Sequence, residues 1–300
     1  MPRHFLTGAE ITNEELTSIL DRALELKADR YASRALDRRT VALVFEKPST
    51  RTRVSMEVAV AQLGGTPLVL RESETQLSRG ESLRDFALVL SRYVDALAVR
   101  TAPHETLEAL ARHAGVPVIN LLTAKYHPCQ VLADLLTLRE RFGSLEGLKL
   151  AYVGDGNNMA NSLMLLGAAA GLQVAVATPD ELKPDQELAA SLNGKVSLTA
   201  DPAEAVAGAH AVYADVWVSM GDDEATAGTR RALLAPYRLD DALLTRARDD
   251  AIALHCLPAH PGEEITEDVL YGERSAVWDQ AENRLHAQKA LLEFLIPAAE

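Results

Sequence analysis

The chain has 300 residues, 48% hydrophobic and 24% charged, with a formal net charge of -13 and a mean hydropathy of -0.03. That length predicts about two domains with cores of their own, and the composition is that of a folded globular protein with no apolar run near the roughly 20 residues a membrane span needs. The acidic excess opposes nucleic acid and anionic membranes as partners, so an anionic substrate must be met by a local basic cluster.

In chain order, MPRHFLTGAEIT lacks the apolar core of a secretory signal, which places the chain in the cytoplasm as an expectation. A helical pattern covers about 13–30. The apolar run VALVF at 41–45 reads as a buried strand, and TRVSMEVAVAQLGG after it has helical spacing and closes on glycines. EKPSTR between them is a tight loop ending at a helix N-terminus, where unpaired backbone N–H groups and the helix dipole favour an anion. Ser49, Thr50 and Thr52 add hydroxyl donors there, and Arg51 adds a planar fork suited to phosphate or carboxylate. Arg53 lies four residues before Glu57, spacing that suits a pair with it.

Further strands are predicted at 67–70, 96–99 and 117–119, separated by helical patterns, with a helix over about 129–142. FGSLEGLK then punctuates the chain, and strands follow at 149–153, 173–177, 196–199, 211–216 and 251–255. AENRLHAQKALLEFLI is a strongly periodic final helix. Repeated strand–helix alternation predicts an α/β fold: two doubly wound domains, each with a mainly parallel sheet flanked by helices, and an active site in the interdomain cleft. The expected boundaries are 1–142 and 143–280, with the helix at 281–300 packing back on the first domain. In such sheets ligands sit beyond the carboxyl ends of strands. STRT, Arg100, HPCQ, DGNN, DVWVSM and HCLP all follow predicted strands. The first half gathers cations and donors, the second an acid, amides and a thiol, which suggests an anion in one domain and an amine in the other.

The two cysteines, Cys129 in HPCQ and Cys256 in HCLP, are too few for a disulfide framework. With His127, His255 and His260 they lack CxxC and HxxxH spacing, so no metal site is expected. VGDGNNMA resembles the dinucleotide-binding fingerprint only in part. Met159 holds the third glycine position, and no acid follows at the distance a ribose requires. A dehydrogenase and a non-catalytic binding module are the readings from other classes.

Taken in order, STRTR, Gln76 before LSRGES, VLSRYVDALAVR, HPCQ with LADLLTL, GDGNN, DVWVSMG, HCLPAH and DQAENRLHAQKALL resemble the aspartate/ornithine carbamoyltransferase family. SMG after DVWV and the cysteine of HCLP resemble its ornithine branch; aspartate or putrescine are the alternative amines. The resemblance implies transfer of a carbamoyl group from carbamoyl phosphate to L-ornithine, giving L-citrulline, by a homotrimer or multiple of trimers with shared active sites. It implies no cofactor. Carried over, Ser49, Thr50, Arg51 and Thr52 would hold the phosphate, Arg100 would reach phosphate and carbamoyl oxygen, and Gln76 would come from a neighbouring subunit. His127 and Gln130 would address the carbamoyl group. Asn158, Asp215, Ser219 and Met220 would bind the amino-acid end of ornithine, with Arg284 and Cys256–Leu257 at the reacting centre. The sequence departs from the family pattern at Met56, Ala124 and Pro261, the last in a motif loop whose closure contacts it touches. Individually, His127 also reads as a turn histidine, Asp215 as a helix cap and Arg284 as a surface charge.

Overall fold

The computed structural model describes residues 2–218 and 224–296. The chain forms two compact units. One runs to Leu136 and resumes at Asn283, and the other is Thr137–Glu282. The first contains α1 (Asn13–Ala28), β1 (Thr40–Phe45), α2 (Thr50–Gln62), β2 (Thr66–Arg71), α3 (Leu83–Leu90), β3 (Ala96–Arg100), α4 (His104–His113) and β4 (Val118–Leu122). α5 (Pro128–Phe142) spans the division. The second unit contains β5 (Lys149–Val153), α6 (Asn158–Ala169), β6 (Gln173–Ala177), α7 (Gln186–Ser191), β7 (Val196–Thr199) and α8 (Pro202–Val206). It continues with β8 (Ala211–Ala214), α9 (Glu224–Leu234), α10 (Asp241–Leu244), β9 (Ile252–His255) and α11 (Glu267–Leu270). α12 (Val277–Leu295) begins in the second unit and ends in the first.

Both sheets are wholly parallel, in the orders β2-β1-β3-β4 and β7-β6-β5-β8-β9. Inner strands of such sheets are covered on both faces, so they read as continuous apolar runs instead of alternating ones. VALVF in β1 and AVYA in β8 are buried throughout. β2 lies at an edge, has only exposed and half-buried residues, and carries Pro67, a residue that central strands exclude. Val44, Leu97, Val99 and Val118 meet Phe86 and Leu107 in the first core, while Val153, Val212 and Ala253 meet Trp217, Leu234 and Val269 in the second.

Two strands differ from the sequence reading by more than one residue at an end. β4 extends to Leu122 because β3 pairs with it that far, with Arg100 in register with Leu122 and the Thr101 N–H donating to the Leu122 carbonyl at 3.1 Å, while Phe5 lies against its first half, its N–H donating to the Val118 carbonyl at 2.9 Å and its carbonyl accepting the Asn120 N–H at 2.8 Å. β8 stops at Ala214 because the Asp215 carboxylate takes the Val216 N–H at 2.8 Å, removing it from the ladder.

Each sheet order reverses once. The first reverses between β1 and β3, where Phe45 is in register with Arg100. The second reverses between β5 and β8, where Val153 is in register with Ala214. At such switch points the loops leaving adjacent strands diverge to opposite faces, opening a crevice at their carboxyl ends. No described helix is long and apolar enough to cross a membrane.

Candidate active site

At the first switch point the chain leaves β1 through Glu46, whose carboxylate accepts the Thr101 hydroxyl at 2.7 Å and the Ala102 N–H at 2.6 Å. This ties the exits of β1 and β3 together. Ser49 stands at the N-cap of α2 in extended backbone, but its side chain makes no cap hydrogen bond, and no acidic residue occupies the first turn. The donors of that helix end therefore lack the usual anionic or hydroxyl partner. Ser49 is half-buried, while Thr50 and Arg51 are exposed. Arg53 points to Glu57 at 2.6 Å, a local helix pair.

Thr52 is buried, with 1% of its surface exposed. Its Oγ1 accepts Arg284 Nη2 at 2.7 Å and Arg100 Nη1 at 3.4 Å. Guanidinium groups only donate, so both lone pairs of that oxygen are engaged and its O–H is left to act as a donor. Arg284, 4% exposed on α12, also donates through Nη1 to Gln130 Oε1 at 2.9 Å. Gln130 in turn donates through Nε2 to Asp134 Oδ1 at 2.8 Å. Both residues lie on α5 one turn apart.

His127 precedes Pro128, which opens α5, and its carbonyl accepts the Gln130 N–H at 3.1 Å. The turn before it is fixed by the Tyr126 N–H on Thr123 Oγ1 at 3.1 Å. Burial pushes the His127 pKa well below the ordinary histidine range, and the nearby Arg284 and Arg100 charges add to that push. The imidazole is neutral near pH 7. Cys129 donates to the Asn120 carbonyl at 3.2 Å, and burial pushes its thiol up to about 12, so it is an inert packing residue. Gln76 stands apart from this cluster: it is exposed at the start of a short 3-10 segment, Gln76–Arg79, beyond the edge strand β2.

The second unit presents the complementary chemistry. Asp155 in the β5–α6 loop pairs with Arg230 on α9. At Gly156, an added Cβ would lie 2.2 Å from the Pro184 nitrogen and 2.3 Å from the Leu182 carbonyl oxygen, so only glycine fits the observed path. Asn157 caps α6: its Oδ1 accepts the Met159 N–H at 2.9 Å, and its Nδ2 donates to Asp215 Oδ2 at 2.7 Å. Asn158 is the first residue of α6 and half-buried.

Asp215 follows Ala214 of β8, and Cys256 follows His255 of β9; Ala214 and His255 are in register. That adjacency brings Cys256 Sγ to 2.9 Å from Asp215 Oδ1. Asp215 is 4% exposed and thus a carboxylate largely withdrawn from water. Leu257 adopts a left-handed backbone with φ 58°, and its N–H donates to His255 Nδ1 at 2.9 Å. The Nε2 atom of His255 therefore carries the hydrogen and faces Glu264 Oε1 at 3.1 Å. Ser219 and Met220 lie outside the described residues.

A family model described as aspartate/ornithine carbamoyltransferase, carbamoyl-P binding domain, matches residues 3–140, and one described as the Asp/Orn binding domain of the same family matches residues 146–295. The ornithine carbamoyltransferase of Acidothermus cellulolyticus is 55% identical, covering 100% of this chain and 98% of that protein. The chain belongs to the aspartate/ornithine carbamoyltransferase family. The ornithine carbamoyltransferase of Methanoculleus marisnigri is 51% identical, with 99% of this chain and 97% of that protein covered. The solved structure of ornithine carbamoyltransferase from Thermus thermophilus matches with a TM-score of 0.92 at 46% identity, covering 99% of both chains. That from Pyrococcus furiosus gives 0.93 at 47% identity, covering 98% of this chain and 97% of the other.

Within this carbamoyltransferase frame the structure adds residues the sequence reading did not single out. Asn157 bonds Asp215 directly, and the signal for it was its place just before a helical pattern, the N-cap position. Asp134 holds Gln130 and is signalled by their i,i+4 spacing on a helix. Glu46 ties two strand exits together, which no local pattern announces. Of the departures from the family pattern, Met56 is fully buried, Ala124 is exposed, and Pro261 forms a bridge with Ile265 in the loop after β9.

Proposed function

We propose that the protein transfers the carbamoyl group of carbamoyl phosphate to the δ-amine of L-ornithine, releasing phosphate and L-citrulline, in the cytoplasm and as a step toward arginine. The observation that carries this reading is the opposite chemistry of the two switch points: the buried guanidinium of Arg284, the half-buried one of Arg100 and the donors around Thr52 in one unit, and the withdrawn carboxylate of Asp215 with Asn157 and Cys256 in the other. An anion suits the first and an ammonium group the second.

In this reading the α2 N-terminus, Ser49, Thr50, Arg51 and Thr52 hold the phosphate, and Arg100 spans phosphate and carbamoyl oxygen. His127 donates one N–H to the carbamoyl oxygen as a neutral imidazole. Gln130 accepts from the carbamoyl NH2 group. Asp215 meets the α-ammonium group of ornithine, with Asn158, Ser219 and Met220 around the amino-acid end. Cys256 and the Leu257 carbonyl orient the attacking amine. The amine adds to the carbamoyl carbon, negative charge grows on the carbonyl oxygen, and phosphate leaves carrying a proton from the amine. Fixed donors aimed at that oxygen supply most of the rate, about 2.7–4 kcal/mol for one such donor. Nothing in this scheme calls for a metal or organic cofactor.

We further propose a homotrimer, or a multiple of trimers, in which Gln76 of one subunit completes the phosphate site of the next. Gln76 is exposed beyond an edge strand, and Val54, Val58 and Leu68 on neighbouring elements of the same edge are exposed apolar residues that a subunit contact would cover.

The test is a mixed-substrate assay offering carbamoyl phosphate with equimolar ornithine, aspartate and putrescine. Citrulline is the expected product. Preferential formation of carbamoyl aspartate or carbamoyl putrescine would overturn the ornithine assignment.

A further inference from the structure

The orientation of a carboxamide is ambiguous unless its neighbours are chemically one-sided. Gln130 has such neighbours. Arg284 Nη1, which only donates, lies 2.9 Å from Oε1, and the carboxylate oxygen of Asp134, which accepts, lies 2.8 Å from Nε2. Asp134 is fully buried on α5, and Gln130 and Arg284 are nearly so. A flipped Gln130 would set its carbonyl against a carboxylate and its NH2 against a guanidinium, two repulsive contacts out of water.

We propose that Asp134 is the positioning residue that fixes the Gln130 carboxamide with its oxygen toward the carbamoyl group, and so gives the site its preference for a carbamoyl over an acyl phosphate. This rests on the reading of the Thr52–Arg284–Gln130 cluster as the carbamoyl phosphate site. A carbamoyl group differs from an acetyl group of similar size by an NH2 in place of CH3. An acceptor held in place rewards the first and is left unpaired by the second, which is how a site separates near-isosteric ligands. The chain from Arg284 through Gln130 to Asp134 also sets the other end of the guanidinium on Thr52. One carboxylate thereby acts on recognition of the carbamoyl amide without touching the ligand, while the Arg284–Thr52 bond stays in place at the phosphate end.

Asp134→Asn keeps the shape but offers Gln130 either an oxygen or an NH2, which removes one of the two repulsive contacts opposing the flipped carboxamide and leaves only Arg284 to oppose it. Competition calorimetry with carbamoyl phosphate and acetyl phosphate reads the effect. The wild type is expected to prefer carbamoyl phosphate by about 10- to 100-fold, the value of a charge-supported hydrogen bond. In Asp134→Asn that ratio is expected to fall about tenfold while acetyl phosphate binding changes little. Gln130→Met is expected to show the same loss, and adding Asp134→Asn to it no further loss, because the carboxylate acts through the amide. Asp134→Ser, which also lifts the constraint, serves if the asparagine variant does not fold. A parallel fall in both affinities, an unchanged ratio, or additive losses in the double variant would overturn the positioning role. Absence of carbamoyl phosphate binding by the wild type would instead overturn the site assignment beneath it.

Discussion

A histidine sealed from water beside two guanidinium groups holds its proton poorly, and for His127 this has consequences beyond catalysis. Its pKa in the folded chain lies well below 6.5, owing first to burial and then to Arg284 and Arg100, whereas in the unfolded chain it returns to about 6.5. Below pH 6.5 the unfolded state takes up a proton that the folded state refuses, so folding stability falls as pH drops from 6.5 toward the depressed folded value. His4, His104 and His210 are shifted in the same direction, each mainly by burial, so a slope in the wild type alone does not isolate His127. Urea unfolding at pH 7.5, 6.5 and 5.5 is expected to show a shallower loss in His127→Gln than in the wild type. Identical slopes would mean that His127 titrates alike in both states. Much of this site was legible residue by residue, because arginines, hydroxyls and an HPxQ run at strand ends are chemically conspicuous. Asp134 and Asn157 were not. Their importance lies in which neighbour each side chain holds, and a carboxylate in LADLLTL or the first of two asparagines looks like ordinary helix chemistry until the partners are in place.

At the scale of elements, two joints carry distinct burdens. The β5–α6 turn runs so close to the 182–184 segment that Gly156→Ala forces backbone apart, with contacts of 2.2 and 2.3 Å to be relieved. Overpacking of that kind costs about 1–3 kcal/mol, and the strain falls on the loop that carries Asn157 to Asp215. Ornithine KM is therefore expected to rise by more than tenfold, with carbamoyl phosphate affinity nearly unchanged, since that ligand is assigned to the other unit. Equal damage to both would assign the glycine a global folding role. The second joint is α12 against α1. Lys289, fully enclosed, donates to the Arg30 carbonyl at 2.6 Å and the Leu26 carbonyl at 3.4 Å, near the C-terminal end of α1 where the helix dipole favours a cation. Arg22 and Glu293 at 2.7 Å, and Lys27 and Asn283 at 2.8 Å, flank it. Lys289→Met removes both of those hydrogen bonds from an enclosed site and is expected to cost about 1–3 kcal/mol in chemical unfolding; a loss below about 0.5 kcal/mol would show that water replaces the lysine. The strands and the long helices were readable because buried parallel strands and amphipathic helices have strong periods. The ends of β4 and β8 were not, since Arg100 of β3 and the Asp215 carboxylate decide them, one through pairing with a distant residue and the other through a side chain competing with the ladder.

For the whole molecule, a net charge of -13 would repel a dianionic substrate unless the cations were concentrated, and the first unit concentrates Arg100 and Arg284 on one hydroxyl while Arg51 stands exposed on the same helix turn. On the trimer proposed above, Gln76 would add its donor to that site from another chain. Activity would then belong to pairs of subunits, and a genetic test separates this from action within one chain. An Arg51→Gln variant lacks the phosphate fork but keeps Gln76; a Gln76→Ala variant keeps the fork. Each alone should be nearly inactive as a homo-oligomer. In mixed assemblies, an interface joining the Gln76→Ala chain's intact Arg51 to the Arg51→Gln chain's intact Gln76 rebuilds one complete site. For a trimer mixed at random from equal amounts, each ordered interface has one chance in four of being that pairing, so recovery of about a quarter of wild-type activity is expected, following the shared-site symmetry of a cyclic assembly. Subunit exchange, verified by mass spectrometry of the mixed oligomers, with no recovered activity would place Gln76 in its own subunit's site or in none.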